Sequence, residues 1–171
     1  MKLSTKGRYA VMAMADLARQ CEGGPVALAD IALRQEISLS YLEQLFGKLR
    51  KGAQVKSVRG PGGGYLLARD ADQMKISDII KAVDEPIQTM RCTPGSPAGC
   101  RTDDARCLTH DLWNELGNQI QLYLSSVSLA DVIGGRVIGT SGHNLSPSVS
   151  TLSVADSQLS SDQEIKYQCA E

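Results

Sequence analysis

Residues Gly60-Pro61-Gly62-Gly63-Gly64 cannot lie inside a helix or in the interior of a strand, so the chain must turn there. Before the run, Gln54 to Arg59 alternates polar and apolar residues, the period of a half-buried strand. After it, Tyr65-Leu66-Leu67-Ala68 reads as the return strand, which makes the segment a β-hairpin. The glycines leave backbone free to approach a phosphate or a minor groove. A tight turn explains them equally, although five residues exceed what a two-residue hairpin loop needs. A nucleotide-phosphate cradle is disfavoured, because no Gly-Lys-Ser/Thr follows.

The segments around the hairpin have helical period. Thr5 to about Gln20 places Tyr9, Met12, Ala13, Leu17 and Gln20 three to four residues apart. Glu22-Gly23-Gly24-Pro25 ends it. Leu28–Gln35 is a short second helix, with Ile31 and Ala32 inward. After a break at Glu36-Ile37-Ser38, a third helix runs from Leu39 to about Lys51. Its apolar face is Leu39, Leu42, Leu45, Phe46 and Leu49; its polar face is Ser40, Tyr41, Glu43, Gln44, Lys48 and Lys51. Two short helices joined by a tight turn, the second polar and basic outside, form a helix-turn-helix pattern. With the hairpin behind it, the expected fold is a winged helix: mainly α, with a small β-hairpin wing. Ile76–Glu85 is a further helix, stopped at Pro86. Aromatic residues are only 4% of the chain, so aliphatic side chains must fill the core.

From Thr109 to Val127 runs the longest predicted helix, with a stripe of Leu108, Leu112, Leu116, Ile120, Tyr123, Leu124 and Val127. Such a stripe is compatible with simple core packing. Yet a helix of about 28 Å outreaches a small winged-helix core, so it is read as a dimerisation helix. Trp113 lies off the stripe and is expected to pack on a neighbour's hairpin or on the first helix. Ser128 to Ile133 is a short helix in which Ser128 and Asp131 fit a capping box. Beyond Gly134 no period persists, and residues 141–171 hold eight serines. Residues 136–171 are therefore expected to be a disordered tail.

Between these elements, three thiols and one imidazole fall in a Gly/Pro-rich stretch: Cys92, Cys100, Cys107 and His110. Soft thiolate ligands select zinc, Cu(I) or iron–sulfur clusters. The wide spacings do not match the paired knuckles of structural zinc. A loop carrying Pro94, Gly95, Pro97 and Gly99 can wrap a larger object such as an iron–sulfur cluster. From spacing alone, cluster, zinc and no metal all stay open. Cys107 and His110 could also act as a nucleophile and its base, but no orienting third group or oxyanion motif accompanies them. Cys169 and His143, in the tail, are not expected as ligands, and Cys21 reads as a small core residue.

Charge is split along the chain. Residues 1–69 hold eleven Lys/Arg and five Asp/Glu, a net of +6, while residues 70–171 hold seven and fourteen, a net of −7. A basic first half points to a polyanionic partner, although charge alone also fits a solvated surface. Arg8, Asp16 and Arg19 interrupt the N-terminal apolar pattern, so neither a signal peptide nor a membrane span is expected. The expected location is the cytoplasm, where thiols stay reduced.

A winged helix places its third helix in the major groove of double-stranded DNA and its wing on backbone or minor groove. The residues expected at DNA are Ser38, Ser40, Tyr41, Glu43 and Gln44 on the helix, with Arg59, Pro61 and Gly62 on the wing. Gln pairs with adenine and Glu accepts from cytosine. Ser40-x-x-Glu43 is alternatively a capping box.

Five stretches together resemble a known family: Lys6-Gly7-Arg8-Tyr9-Ala10-Val11, Ile37 through Phe46, Val58 through Tyr65, Ala82-Val83-Asp84-Glu85, and Cys107-Leu108-Thr109-His110. The chain resembles the IscR family of iron–sulfur cluster regulators, winged-helix repressors that also include the nitric-oxide sensor NsrR. The resemblance covers residues 1 to about 135. It implies a homodimeric transcription regulator, a roughly palindromic operator, and a [2Fe–2S] cluster held by Cys92, Cys100, Cys107 and His110. The nitric-oxide branch shares the three cysteines but takes an acidic ligand near the N-terminus, where this chain has Arg8. The expected organisation is a DNA-binding domain over 1–85, a cluster loop over 86–110, a dimerisation region over 111–135 and the tail over 136–171.

Overall fold

The structure is a computed structural model that describes residues 4–85, 89, 100–101 and 105–137. Among the described residues the elements are α1 (Thr5–Gln20), α2 (Leu28–Gln35), α3 (Leu39–Lys51), β1 (Val55–Val58), β2 (Gly64–Leu67), α4 (Ile76–Ala82), α5 (His110–Ser126) and α6 (Leu129–Ile133), with a 3-10 turn at Cys21–Gly23. This is a winged helix-turn-helix with a long helix leaving and rejoining it. The readings of Cys92 and of the tail beyond residue 137 fall outside the described residues.

The core is almost wholly aliphatic, as the shortage of aromatics requires. Met14 and Leu17 from α1, Leu42, Phe46 and Leu49 from α3, and Ile79 from α4 are fully buried around one centre. Cys21 joins them at 5% exposure. A charge is buried with them: Asp16, 6% exposed, accepts two hydrogen bonds from Arg34 Nε at 3.0 and 3.1 Å, pinning α1 to α2. A buried carboxylate is tolerated only when paired in this way.

The hairpin is antiparallel, with Val55 opposite Leu67 and Val58 opposite Gly64. At its tip, Gly63 N–H donates to the Gly60 carbonyl at 2.9 Å. Pro61 and Gly62 are the central residues, and Gly62 has φ +75°, the positive value a type II turn demands there. Gly64 serves a different need. Val26, before α2, pairs with Tyr65 through two backbone hydrogen bonds of 2.9 and 3.0 Å, and a Cβ on Gly64 would stand 2.3 Å from the Val26 carbonyl oxygen. The glycine run is thus accounted for by the turn and by a third strand-like segment laid on the wing. Phe46 meets Tyr65 edge-to-face at 4.9 Å, which fastens α3 to the wing.

Three expectations are corrected. The fourth helix stops at Ala82 rather than Glu85, because Asp84 takes a left-handed conformation at φ +54°. Leu39 does not share the buried face of α3; it is 42% exposed. Ile37, just before the Ser38 N-cap, and Leu42 are both buried instead, in the relation of a hydrophobic staple. Third, the long stripe divides. Leu124 and Val127 pack on the winged-helix core, whereas Leu112, Leu116 and Tyr123 are 62%, 37% and 44% exposed. The capping box of α6 forms as expected, with Ser128 and Asp131 exchanging hydrogen bonds of 3.0 and 3.1 Å. Leu129 is fully buried, so the chain returns to the winged body here. Arg136 then folds back, its guanidinium 3.5 Å from Asp131.

Candidate nucleic-acid interface and cysteine–histidine loop

α3 presents a continuous polar strip. Ser38, Ser40, Glu43 and Gln44 are exposed, while Tyr41 is half-buried, leaning on Tyr9 edge-to-face at 6.0 Å. The helix starts at Leu39 with Ser38 as N-cap, so Ser40 lies inside the first turn and cannot cap it. The Ser40–Glu43 capping box therefore does not form, and no hydrogen bond or ion pair holds Glu43 among the described residues. Ser38 makes no side-chain cap bond either, which leaves its hydroxyl available. No acidic residue occupies the first turn, and Lys48, Arg50 and Lys51 fill the last. Arg59, Pro61 and Gly62 are exposed at the wing tip. The eight residues expected at DNA lie on these two elements, which Phe46 and Tyr65 hold together.

The cysteine–histidine site begins where α5 begins. His110 is the first residue of α5, and its backbone N–H donates to the Cys107 carbonyl at 3.0 Å. Its Nδ1 lies 3.0 Å from Cys100 Sγ. Cys100 and Cys107 carry thiols rather than disulfides, and both are partly exposed. Two donors ten residues apart are thus brought together at one helix start, with a third on the turn beside them. Thiols and imidazole are the donor set of soft metals, so these residues fit such a group. Cys92, the fourth expected ligand, lies outside the described residues, and among those described no three donors converge on one point. Trp113, one turn along, donates its indole N–H to Thr109 Oγ1 at 3.2 Å and stays 43% exposed. Thr89 lies across the same helix, its hydroxyl donating to the Trp113 carbonyl at 2.6 Å.

The two sites are linked by Asp84 and Glu85, whose role no local sequence pattern announces. They are the last described residues before the loop. Asp84 accepts from Lys48 Nζ of α3 at 2.9 Å, and its carbonyl accepts from Lys6 of α1 at 3.0 Å. Glu85 accepts from the backbone N–H and the hydroxyl of Ser4 at 2.9 and 2.7 Å, at the N-cap of α1. The Lys48 hydrogen bond and charge hold the Asp84 carboxyl below its ordinary pKa, and the Ser4 hydrogen bonds do the same for Glu85. Beside this clamp the α3 terminus touches α4 so closely that a Cβ on Gly52 would stand 2.6 Å from Ala82 Cβ. The only sequence signal for the clamp was two acids in a row at a helix end. Their partners lie 36 to 81 residues away, beyond any local pattern.

Comparison with known proteins converges on the same architecture. The Rrf2 family model, described as iron-dependent transcriptional regulators, matches residues 3–135. The chain is 52% identical over 138 residues to the HTH-type transcriptional regulator IscR of Photorhabdus laumondii, covering 81% of this chain and 82% of that one. The solved structure of T. potens IscR superposes with a TM-score of 0.63 at 40% identity, covering 78% of this chain and 87% of that one. CymR, the global cysteine regulator of B. subtilis, superposes with a TM-score of 0.65 at 34% identity, covering 78% and 97%. No helix among the described residues is long and apolar enough to cross a membrane. The relatives are named regulators rather than enzymes, and this chain is a winged-helix transcriptional regulator that belongs to the Rrf2 family.

Proposed function

We propose that the protein is a homodimeric, DNA-binding regulator that senses an iron–sulfur cluster and controls the genes of cluster assembly. Cys92, Cys100, Cys107 and His110 hold the cluster, of the [2Fe–2S] type. The observation that carries this reading is the Cys100–His110 pair at 3.0 Å, in a loop whose start is clamped to the reading helix. When bound, such a cluster supplies a cross-link between ligands that have no core of their own.

The protein's side chains do the rest. Asp84 and Glu85 fix the beginning of the loop to α3 and α1, and His110 fixes its end to α5. A shift in the loop therefore has two levers, one on the reading helix and one on the exposed stripe of Leu112 and Leu116. We assign that stripe to a symmetric dimer contact, which makes the operator roughly palindromic. Gln44 and Glu43 face the bases, Glu43 accepting from cytosine or rejecting sites where it finds no donor. Ser38 and Ser40 reach phosphate, Tyr41 faces the DNA beside them, and Arg59, Pro61 and Gly62 meet backbone or minor groove. The setting is cytoplasmic.

Anaerobic purification tests the reading. Visible absorption with equal iron and acid-labile sulfide is expected, lost in the Ala variants of Cys92, Cys100 and Cys107 and altered in His110→Ala. Colourless protein with stoichiometric zinc would replace the cluster by a structural metal.

A further inference from the structure

Among the apolar residues of α3, Leu39 alone faces solvent: Leu42, Leu45, Phe46 and Leu49 are at most 2% exposed, and Leu39 is 42% exposed. It is not stranded at random. As the first residue of the helix it stands one turn before Glu43, the spacing that makes two side chains neighbours on one face. Ser38 and Ser40 flank it, and both are exposed. The reading surface is therefore two adjacent rows, Leu39–Glu43 and Ser40–Gln44, of which one begins with a branched hydrocarbon. An isobutyl group cannot contact phosphate usefully, and it offers nothing to a donor or acceptor. The one apolar feature of the major groove is the C5 methyl of thymine.

We infer that Leu39 is a specificity-determining residue that reads a thymine methyl beside the base pair facing Glu43. The inference rests on the proposed DNA-binding role of α3. The pairing of a carboxylate with a leucine one turn away fits a step in which a cytosine donor and a thymine methyl are neighbours. Leu39 removes the methyl from water, and Glu43 accepts from the amino group. The same contact discriminates against cytosine at the methyl position, because cytosine has hydrogen there.

The test replaces the methyl by hydrogen without touching any hydrogen-bonding group. Full-length protein is used to select its preferred duplex from a randomised pool. Each thymine of the selected half-site is then changed singly to deoxyuridine, in both half-sites. Binding is measured by fluorescence anisotropy at fixed salt, for wild type, Leu39→Ala and Leu39→Met. At one position the wild type should lose roughly four-fold in affinity per half-site, the worth of hiding one methyl group. Leu39→Ala should bind thymine and deoxyuridine duplexes alike there, and Leu39→Met should keep most of the discrimination. Leu39 is partly exposed and Ala favours helix, so an unchanged thermal melt of the variant is expected. If Leu39→Ala retains the full preference for thymine, or if the wild type shows no methyl-sensitive position, the inference is overturned. If the wild type selects no duplex at all, the DNA-binding role of α3 falls first and this inference falls with it.

Discussion

α1 and α5 are of nearly equal length, sixteen and seventeen residues, and each carries apolar residues at helical spacing. α1 buries seven of its residues, including the ion-paired Asp16; α5 buries none. The same local signal thus has two outcomes. In the winged body the apolar stripe is consumed by contacts within the chain. In the arm it is left open over Leu112 and Leu116 and closed only near Leu124 and Val127, where the chain rejoins the body. The body has a core of its own, whereas the arm has surface that a second chain can cover.

Four measurements can break or sharpen this contrast. The largest effect belongs to the body. Phe46→Ala removes a fully buried ring that also meets Tyr65, and should cost about 3–5 kcal/mol by urea unfolding. A loss under 1 kcal/mol would mean that the α3–wing junction is not part of the core. Next comes the arm. Leu116→Asp should leave the melting of the body nearly unchanged while dissociating the dimer at micromolar concentration, with about 2–3 kcal/mol lost per apolar contact. Sedimentation that still shows dimers would move the interface away from α5. Third, Gly64→Ala pushes a methyl group against the Val26 carbonyl and should destabilise the body by about 1–3 kcal/mol. A neutral result would show that Val26 can leave the wing freely.

The smallest effect is expected from acid, at the seam between the two regions. Asp84 and Glu85 have ordinary values of 3.8 and 4.5 and are held below them in the folded protein. A depressed carboxylate stabilises the fold above its unfolded pKa, and that contribution disappears as pH falls through the folded value. The clamp should thus be intact at neutral pH and weaken only below about pH 4.5, modestly because both groups are near solvent. Hydrogen exchange of the α1 N-terminus, followed from pH 6 to pH 3 with Glu85→Gln as control, checks this. Equal acid sensitivity in wild type and variant would remove Glu85 from the clamp.

Most of the fold is legible in the sequence. Helical period located α1, α2, α3 and α5, the Gly-Pro-Gly-Gly-Gly run located the wing, and Ser128 with Asp131 announced the cap of α6. These signals are local, because hydrogen bonding and side-chain direction repeat every few residues. Three thiols and one imidazole within nineteen residues likewise singled out a candidate site from the sequence alone.

Tertiary structure alone decided which apolar residues would stay outside and which distant charges would meet. Leu39 has the right spacing for the core, yet it is exposed while Ile37 and Leu42 on either side of it are buried. Leu124 and Leu112 belong to one stripe, yet only the former lies where the chain returns to the body. Asp16 finds Arg34, and Asp84 finds Lys48, across separations that sequence spacing does not encode. A stripe shows which face of a helix is apolar, but its burial depends on what else fills the same volume, and in a close-packed interior that is settled by all elements together.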